Sequence, residues 1–269
     1  MLESVINISE GTDSSRLTEL VHAAGTSLLD THSDKFHNRS VFTLYGTDVY
    51  EDSLNLVRKA FQLLDLRNHV GVHPRIGVVD VVPFVPFGTS EIGDALLARD
   101  NFAKIIAAEY SVPTFLYGPN RTLPQIRREA FVGLAPDFGP SKPHPKFGSV
   151  AVGAREPLVA YNIYLAGSDL AEAKDIAKQV RSPFFRTLGL QVGNEVQVSA
   201  NLIDPFNHGI HEFYEAVIAL THISRCELVG LVPLKVLENS PTALWDILDL
   251  DRAKALEIRA ADKTSDPPS

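Results

Sequence analysis

A chain of 269 residues with 45% hydrophobic and 22% charged residues has the composition of a globular protein with a substantial core. Its formal net charge of −8 argues against nucleic acid as the main partner, because phosphate binding demands a basic face. The single cysteine, Cys226, rules out an internal disulfide framework and fits a reducing compartment.

Met1 to Val5 carries neither a basic region nor an apolar segment, and no apolar run approaches the roughly 18 residues that span a bilayer. The expectation is a cytoplasmic protein without membrane attachment.

Strand and helix signals alternate from the start. Residues 4–9 read as a strand, followed by an amphipathic helix that opens near Ser14, turns Leu17, Leu20, Val21 and Ala24 to one side, and stops at Gly25. A short strand at Leu28-Leu29 leads into the polar loop 30–39, and 40–45 is a strand rich in β-branched and aromatic residues. Residues 50–66 predict a long helix with Leu54, Val57, Ala60, Phe61 and Leu64 on its buried face. The run 76–82 is almost continuously apolar, as expected of a strand covered on both faces. A helix over 90–110, a strand over 114–117 and a weaker helical pattern over 121–134 follow.

Residues 135–148 hold four prolines (136, 140, 143 and 145), which exclude a helix or an interior strand. Such a stretch is either an interdomain connector or a ligand-binding loop. The pattern resumes with a strand over 158–165 and a helix over 169–180. Strands over 188–192 and 196–203 turn at Gly193-Asn194, a helix covers 209–223, and a strand covers 228–232. Residues 243–259 read as helical or partly helical, and 261–269 as a polar, fraying tail.

Strand, helix, two strands, helix, strand is the order of a split βαβ (ferredoxin-like) unit, and the first part suggests an elaborated version of it. The expected fold class is therefore α+β, with two ferredoxin-like subdomains whose sheets pack on one another. The expected boundaries are 1–155, 156–260 and the tail 261–269.

Gly71 to Asp80 is the stretch best suited to chemistry. Pro74 biases His73 toward extended backbone at a loop-to-strand junction, with Arg75 and Asp80 close in sequence. The flanking Gly71 and Gly77 suit close approach of a ligand. A carboxylate near an imidazole raises its basicity, and a guanidinium orients an anionic substrate. His69 and His73, four apart, invite a metal reading, but Gly71 and Pro74 argue against the helix that would put both on one face. Asp204, His208 and His211 form a second cluster that reads better as a loop capping the next helix, and Cys226 as a semi-buried small residue.

Asn7-Ile8-Ser9-Glu10-Gly11, Asn38-Arg39-Ser40-Val41-Phe42-Thr43 and His73-Pro74-Arg75-Ile76-Gly77 with Asp80 and Pro83 resemble the formiminotransferase family. The resemblance continues through Leu116-Tyr117-Gly118, Arg121-Thr122-Leu123-Pro124, Ile126-Arg127, Pro136-Asp137-Phe138-Gly139-Pro140 and Gly153-Ala154-Arg155. It extends to Ala160-Tyr161-Asn162, Val198-Ser199-Ala200-Asn201-Leu202 and Leu228-Val229-Gly230-Leu231-Val232-Pro233, in the family's order up to about residue 235.

The resemblance implies two ferredoxin-like subdomains in a homodimer. It also implies transfer of a formimidoyl group from N-formimidoyl-L-glutamate to N5 of tetrahydrofolate as co-substrate, a late step of histidine breakdown, with no metal expected. The family's catalytic histidine falls on His73, as general base. Its folate-contacting loop falls on Gly139, Pro140, Ser141, Lys142, Pro143, His144, Pro145, Lys146, Phe147 and Gly148. Lys142, His144 and Lys146 put positive charge there, suited to a glutamyl tail. Arg39, Arg75 and Arg155 are further candidates for carboxylate anchors.

The loops after Gly118 and Leu134 are shorter than in the family, and so is the segment after Val180, where the family carries a glycine- and lysine-rich folate loop. The alternatives are a folate-binding paralogue with weak transfer, or a formyltransferase that uses formyl-glutamate. The cyclodeaminase domain fused in animal enzymes has no counterpart in this sequence.

Overall fold

The computed structural model describes residues 1–265, which form two compact units, Met1–Glu156 and Pro157 onward. The first unit runs β1 (Leu2–Ile8), α1 (Ser14–Ala23), β2 (Leu28–Asp34), β3 (Arg39–Gly46), α2 (Val49–Leu63), β4 (Val79–Pro86), α3 (Ile92–Tyr110), β5 (Thr114–Tyr117), α4 (Leu123–Glu129) and β6 (Val150–Ala154). Its sheet has the order β2-β3-β1-β4-β6-β5. The first four strands are antiparallel, and β6 pairs in parallel with both β4 and β5. This is a ferredoxin-like sheet widened by a parallel β4-α3-β5-α4-β6 extension.

The second unit runs β7 (Val159–Leu165), α5 (Leu170–Gln179), β8 (Phe185–Val192), β9 (Glu195–Leu202), α6 (Ile210–Ile218), β10 (Ile223–Val229), α7 (Leu234–Glu238) and α8 (Leu256–Ser265). Its sheet order, β10-β7-β9-β8, is antiparallel throughout, so this unit too is a split βαβ fold of the α+β class.

Local chemistry sets the helix starts. Asp13 accepts the N–H groups of Ser15 and Arg16 at the head of α1, and Asp169 accepts that of Glu172 at α5. Glu91 and Asp94 cap each other's backbone at α3, and Thr122 with Pro124 opens α4. Leu54, Val57, Ala60 and Phe61 of α2 are buried against the sheet with Phe42, Phe84 and Phe102. Each such phenylalanine contributes about 2–3 kcal/mol through burial. A smaller cluster of Val81, Phe115, Tyr117, Ile126 and Ala151 joins α4 to the central strands. With apolar clusters on both faces, β4 is apolar along nearly its whole length, and its one charged side chain, Asp80, is buried.

Several expectations are corrected. Residues 30–34 are not loop but the continuation of β2, paired from Asp30 to Asp34 with β3. The central strand begins at Val79 rather than residue 76 and runs through Pro83, which sits opposite Gly153 in the parallel ladder. Two elements absent from the sequence reading appear, β6 and α7. The helix over 209–223 ends at Ile218, and Ile223 instead opens β10, five residues before the expected strand. Residues 261–265 continue α8 rather than fray, and 266–269 lie outside the described residues. The turn at Gly193-Asn194 joins β8 to β9 as the sequence indicates.

Candidate functional site

Three strand ends converge in the first unit. Ile8, at the end of β1, pairs with Ser40 near the start of β3 and with Val79 at the start of β4. Register therefore gathers Glu10, Arg39 and the segment 71–80 at one end of the sheet. Ser9 Oγ donates to the Gly77 carbonyl (2.9 Å) and Ser40 Oγ to the Glu10 carbonyl (2.6 Å), tying these ends together. The loop before β6 joins them, because Ser149 N–H donates to the Ile76 carbonyl (2.9 Å) and Val78 N–H to the Phe147 carbonyl (2.9 Å).

At this end His73 Nδ1 lies 2.8 Å from the Pro74 carbonyl, and Nε2 lies 2.7 Å from Arg39 Nη1. A carbonyl only accepts and a guanidinium only donates. The ring is therefore neutral, with its proton on Nδ1 and its lone pair on Nε2. Burial, then the charges of Arg39 and Arg127, push His73 down to about 2 from the usual value of 6.5. Burial likewise brings Arg39 down to about 10, with Asp80 and Asp34 opposing that shift and Arg127 and Arg75 adding to it.

Asp80 does not hydrogen-bond the imidazole directly, contrary to what its closeness in sequence suggested. Its Oδ1 accepts the Ile76 N–H (2.7 Å), and its Oδ2 pairs with Arg127 Nη2 (2.5 Å). Arg127, taken from the sequence only as part of a motif, proves central. Its Nη1 also donates to the Pro74 carbonyl (3.0 Å), the acceptor that fixes His73. Nothing local signals this, because Arg127 and Asp80 are 47 residues apart.

Arg75 spends its donors on backbone, from Nε and Nη2 to the His73 carbonyl (3.2 and 2.9 Å) and from Nη2 to the His37 carbonyl (3.0 Å). It braces the His73 segment rather than presenting a free fork. Gly71 and Gly77 are required by the chain itself. A Cβ on Gly71 would lie 2.3 Å from the His37 carbonyl oxygen, and one on Gly77 would lie 2.0 Å from that of Ser149.

Arg155 follows β6, and its Nη1 donates to the Glu156 carbonyl (2.9 Å). It also bonds the buried Tyr117 hydroxyl, whose pKa burial pushes up to about 12 against the pull of Arg155 and Arg127. Its described hydrogen bonds go to these partners rather than to His73.

The stretch 139–148 is neither strand nor helix. Gly139 (φ 85°) passes close over the Val112 carbonyl, and Ser141, Lys142 and Pro143 are exposed. His144 does not offer its charge outward as expected. Its Nδ1 accepts the N–H groups of Lys146 (3.2 Å) and Phe147 (3.1 Å), and its ring stacks on Phe147 (4.5 Å between centroids). Phe147 continues inward against Phe61 and Tyr110, while Lys146 Nζ lies 5.1 Å over the Phe147 ring. The loop is anchored to the core at Phe147 and Gly148 and presents Pro140 to Pro143, with Lys142 the exposed cation.

Among the described residues no group of three or more His, Cys, Asp and Glu side chains is placed to hold a metal ion. His208 pairs with Glu212 (3.1 Å) and stacks on Phe184, Asp204 accepts from Asn207, and His211 lies 3.4 Å from Glu215. Cys226 is buried, and that burial raises its pKa. No helix among the described residues is long and apolar enough to cross a membrane.

Residues 1–155 match the formiminotransferase domain, N-terminal subdomain. A glutamate formimidoyltransferase of Streptococcus pyogenes serotype M1 is 32% identical over 95% of this chain and 97% of its own length. A second, from Thermoplasma acidophilum, is 31% identical over 96% of each chain. The formimidoyltransferase-cyclodeaminase of Sus scrofa is 34% identical over 88% of this chain, a match that spans 51% of that protein. With its fold, its ordered motifs and these relatives in agreement, the chain belongs to the formiminotransferase family.

Proposed function

We propose that the chain is a glutamate formimidoyltransferase that moves the formimidoyl group of N-formimidoyl-L-glutamate to N5 of tetrahydrofolate, as a cytoplasmic homodimer. Residues 1–155 and 156–260 are its two subdomains. The observation that carries the reading is His73, a neutral imidazole of fixed tautomer whose single basic nitrogen faces a cluster of guanidinium groups. Such a group suits proton transfer beside an anionic substrate.

In the reaction, tetrahydrofolate N5 attacks the amidine carbon, the N5–C bond forms, and the N5 proton passes to His73 Nε2. The tetrahedral adduct then collapses, the bond from carbon to the glutamate nitrogen breaks, and the proton returns to that nitrogen. Holding both substrates against one imidazole supplies the orientation that a bimolecular encounter lacks. Arg39 is the anchor for a donor carboxylate, since both nearby carboxylates are committed, Asp80 to Arg127 and Asp34 to the Phe36 and His37 N–H groups. Lys142 and Lys146 are the contacts for the folate's glutamyl tail.

A second reading, a folate-binding relative with weak transfer, is favoured by the short connection 180–184 between α5 and β8. The test is a transfer assay with tetrahydrofolate and either N-formimidoyl-L-glutamate or N-formyl-L-glutamate, run on the wild type and on His73→Ala. Transfer from the formimidoyl donor, lost in His73→Ala while folate affinity is kept, supports the reading. Full turnover in that variant overturns the role of His73. Folate binding without transfer from either donor selects the second reading.

A further inference from the structure

We propose that Arg39 is a substrate-displaced latch on His73, closing the imidazole's one basic atom until a donor carboxylate takes the guanidinium over. The proposal rests on the formimidoyl-transfer reading above and adds how its base is switched on.

The geometry allows His73 no second basic position. Nδ1–H is committed to the Pro74 carbonyl, which is itself held by Arg127, and Arg127 by Asp80. The tautomer is thus fixed from behind, and the lone pair on Nε2 is the only place a proton can go. That lone pair is occupied, because Arg39 Nη1 stands 2.7 Å from it. Protonating Nε2 would set N–H against N–H, one positive group against another, so the ring cannot act as a base while this contact holds.

The latch can be opened by the right ligand. A guanidinium has five N–H donors in a planar fork, and its contact with an uncharged imidazole nitrogen engages one of them. A carboxylate offers two acceptors of opposite charge in matching geometry, a bidentate ion pair against the single bond to a neutral nitrogen. Asp34 and Asp80 lie near enough to act on Arg39 through space, yet the hydrogen bonds of both go elsewhere. Asp80 bonds through both oxygens to Ile76 N–H and Arg127, and Asp34 through Oδ1 to the Phe36 and His37 N–H groups. The glutamate moiety of the donor carries two carboxylates and can meet this unspent demand. Once Arg39 turns to it, Nε2 is released beside the bound donor. The other groups that face His73 are Arg127, His37 and the Pro74 carbonyl. They stay in place, so the change in basicity comes from Arg39. The base is therefore available only when the donor is seated.

The test is a long-range proton–nitrogen NMR titration of the intact protein with labelled histidine, with and without N-formimidoyl-L-glutamate and in the absence of folate. Donor binding is measured separately by calorimetry. In the free protein His73 is expected as the Nδ1–H tautomer, without titration between about pH 5 and 8. With saturating donor, the Nε2 resonance should move and the apparent pKa should rise at least tenfold in proton affinity. Arg39→Gln should show a raised value without donor and little further change on adding it, together with a higher KM. The wild-type comparison stands even if that variant folds poorly. Calorimetric donor binding that leaves the His73 resonances and titration unchanged overturns the latch and leaves the transfer reading intact. No donor binding and no transfer overturn the reading, and the latch with it.

Discussion

Arg127 and Asp80, 47 residues apart, meet at 2.5 Å, and the Arg127 guanidinium also holds the Pro74 carbonyl that receives the His73 Nδ1 proton. The pair stands behind the imidazole and fixes its tautomer, so the chemistry of His73 depends on a residue from α4 as well as on its own loop. Asp80 is 1% exposed, which makes its charge costly without its partner.

Arg127→Leu should therefore lower stability by about 3–5 kcal/mol, the usual cost of stranding one charge of a buried pair. Urea unfolding checks this. Adding Asp80→Asn should recover part of the loss, because the stranded charge is then gone. Additive losses in the double variant would refute the pairing as the source.

Acid should destabilise the protein through His73. Burial, then Arg39 and Arg127, hold its folded value at about 2, while the unfolded chain takes up a proton near 6.5. Above 6.5 both states are neutral there and nothing is lost. Below it only the unfolded chain gains the proton, so stability falls by about 1.4 kcal/mol per pH unit until the folded value is approached. His73→Gln keeps an acceptor for Arg39 and removes the titration. Its unfolding free energy should decline less steeply than wild type between about pH 6 and 4.

Gly77→Ala should detach the loop that precedes β6. The new methyl would lie 2.0 Å from the Ser149 carbonyl oxygen, which is backbone and has little room to retreat. A loss of about 2 kcal/mol is expected. Faster hydrogen exchange at the Val78 and Ser149 amides, whose bonds cross this contact, is the direct readout.

His144→Ala should loosen the exposed tip of the same loop. It removes the acceptor for the Lys146 and Phe147 N–H groups and the ring stacked on Phe147. Two lost hydrogen bonds amount to about 1–3 kcal/mol. Tetrahydrofolate affinity by calorimetry should fall with it, whereas Lys142→Ala should weaken binding and also flatten its salt dependence. Unchanged folate affinity in both variants would remove 139–148 from the folate site.

Element order was legible because period and punctuation are local properties. Asp13 and Gly25 bracket α1, and the alternation around Gly193-Asn194 marks the hairpin. The misses share a cause. Asp30 to Asp34 is a strand only because β3 offers it an edge, and its polar side chains suit that half-exposed place. β6 is short and follows a proline-rich loop, and becomes a strand by insertion between β4 and β5.

By itself, the sequence determined the class of the fold, the order of its elements, the family, and the place of His73 at a loop-to-strand junction. These follow from hydrophobic period, proline and glycine punctuation, and motif order. Only the tertiary structure decided that Arg39 occupies Nε2, that Asp80 serves Arg127 rather than the imidazole, and that Arg75 and His144 are spent on backbone. A polar side chain's partner is chosen by competition among groups the fold brings within about 3 Å, and much of that competition lies between residues far apart in the chain.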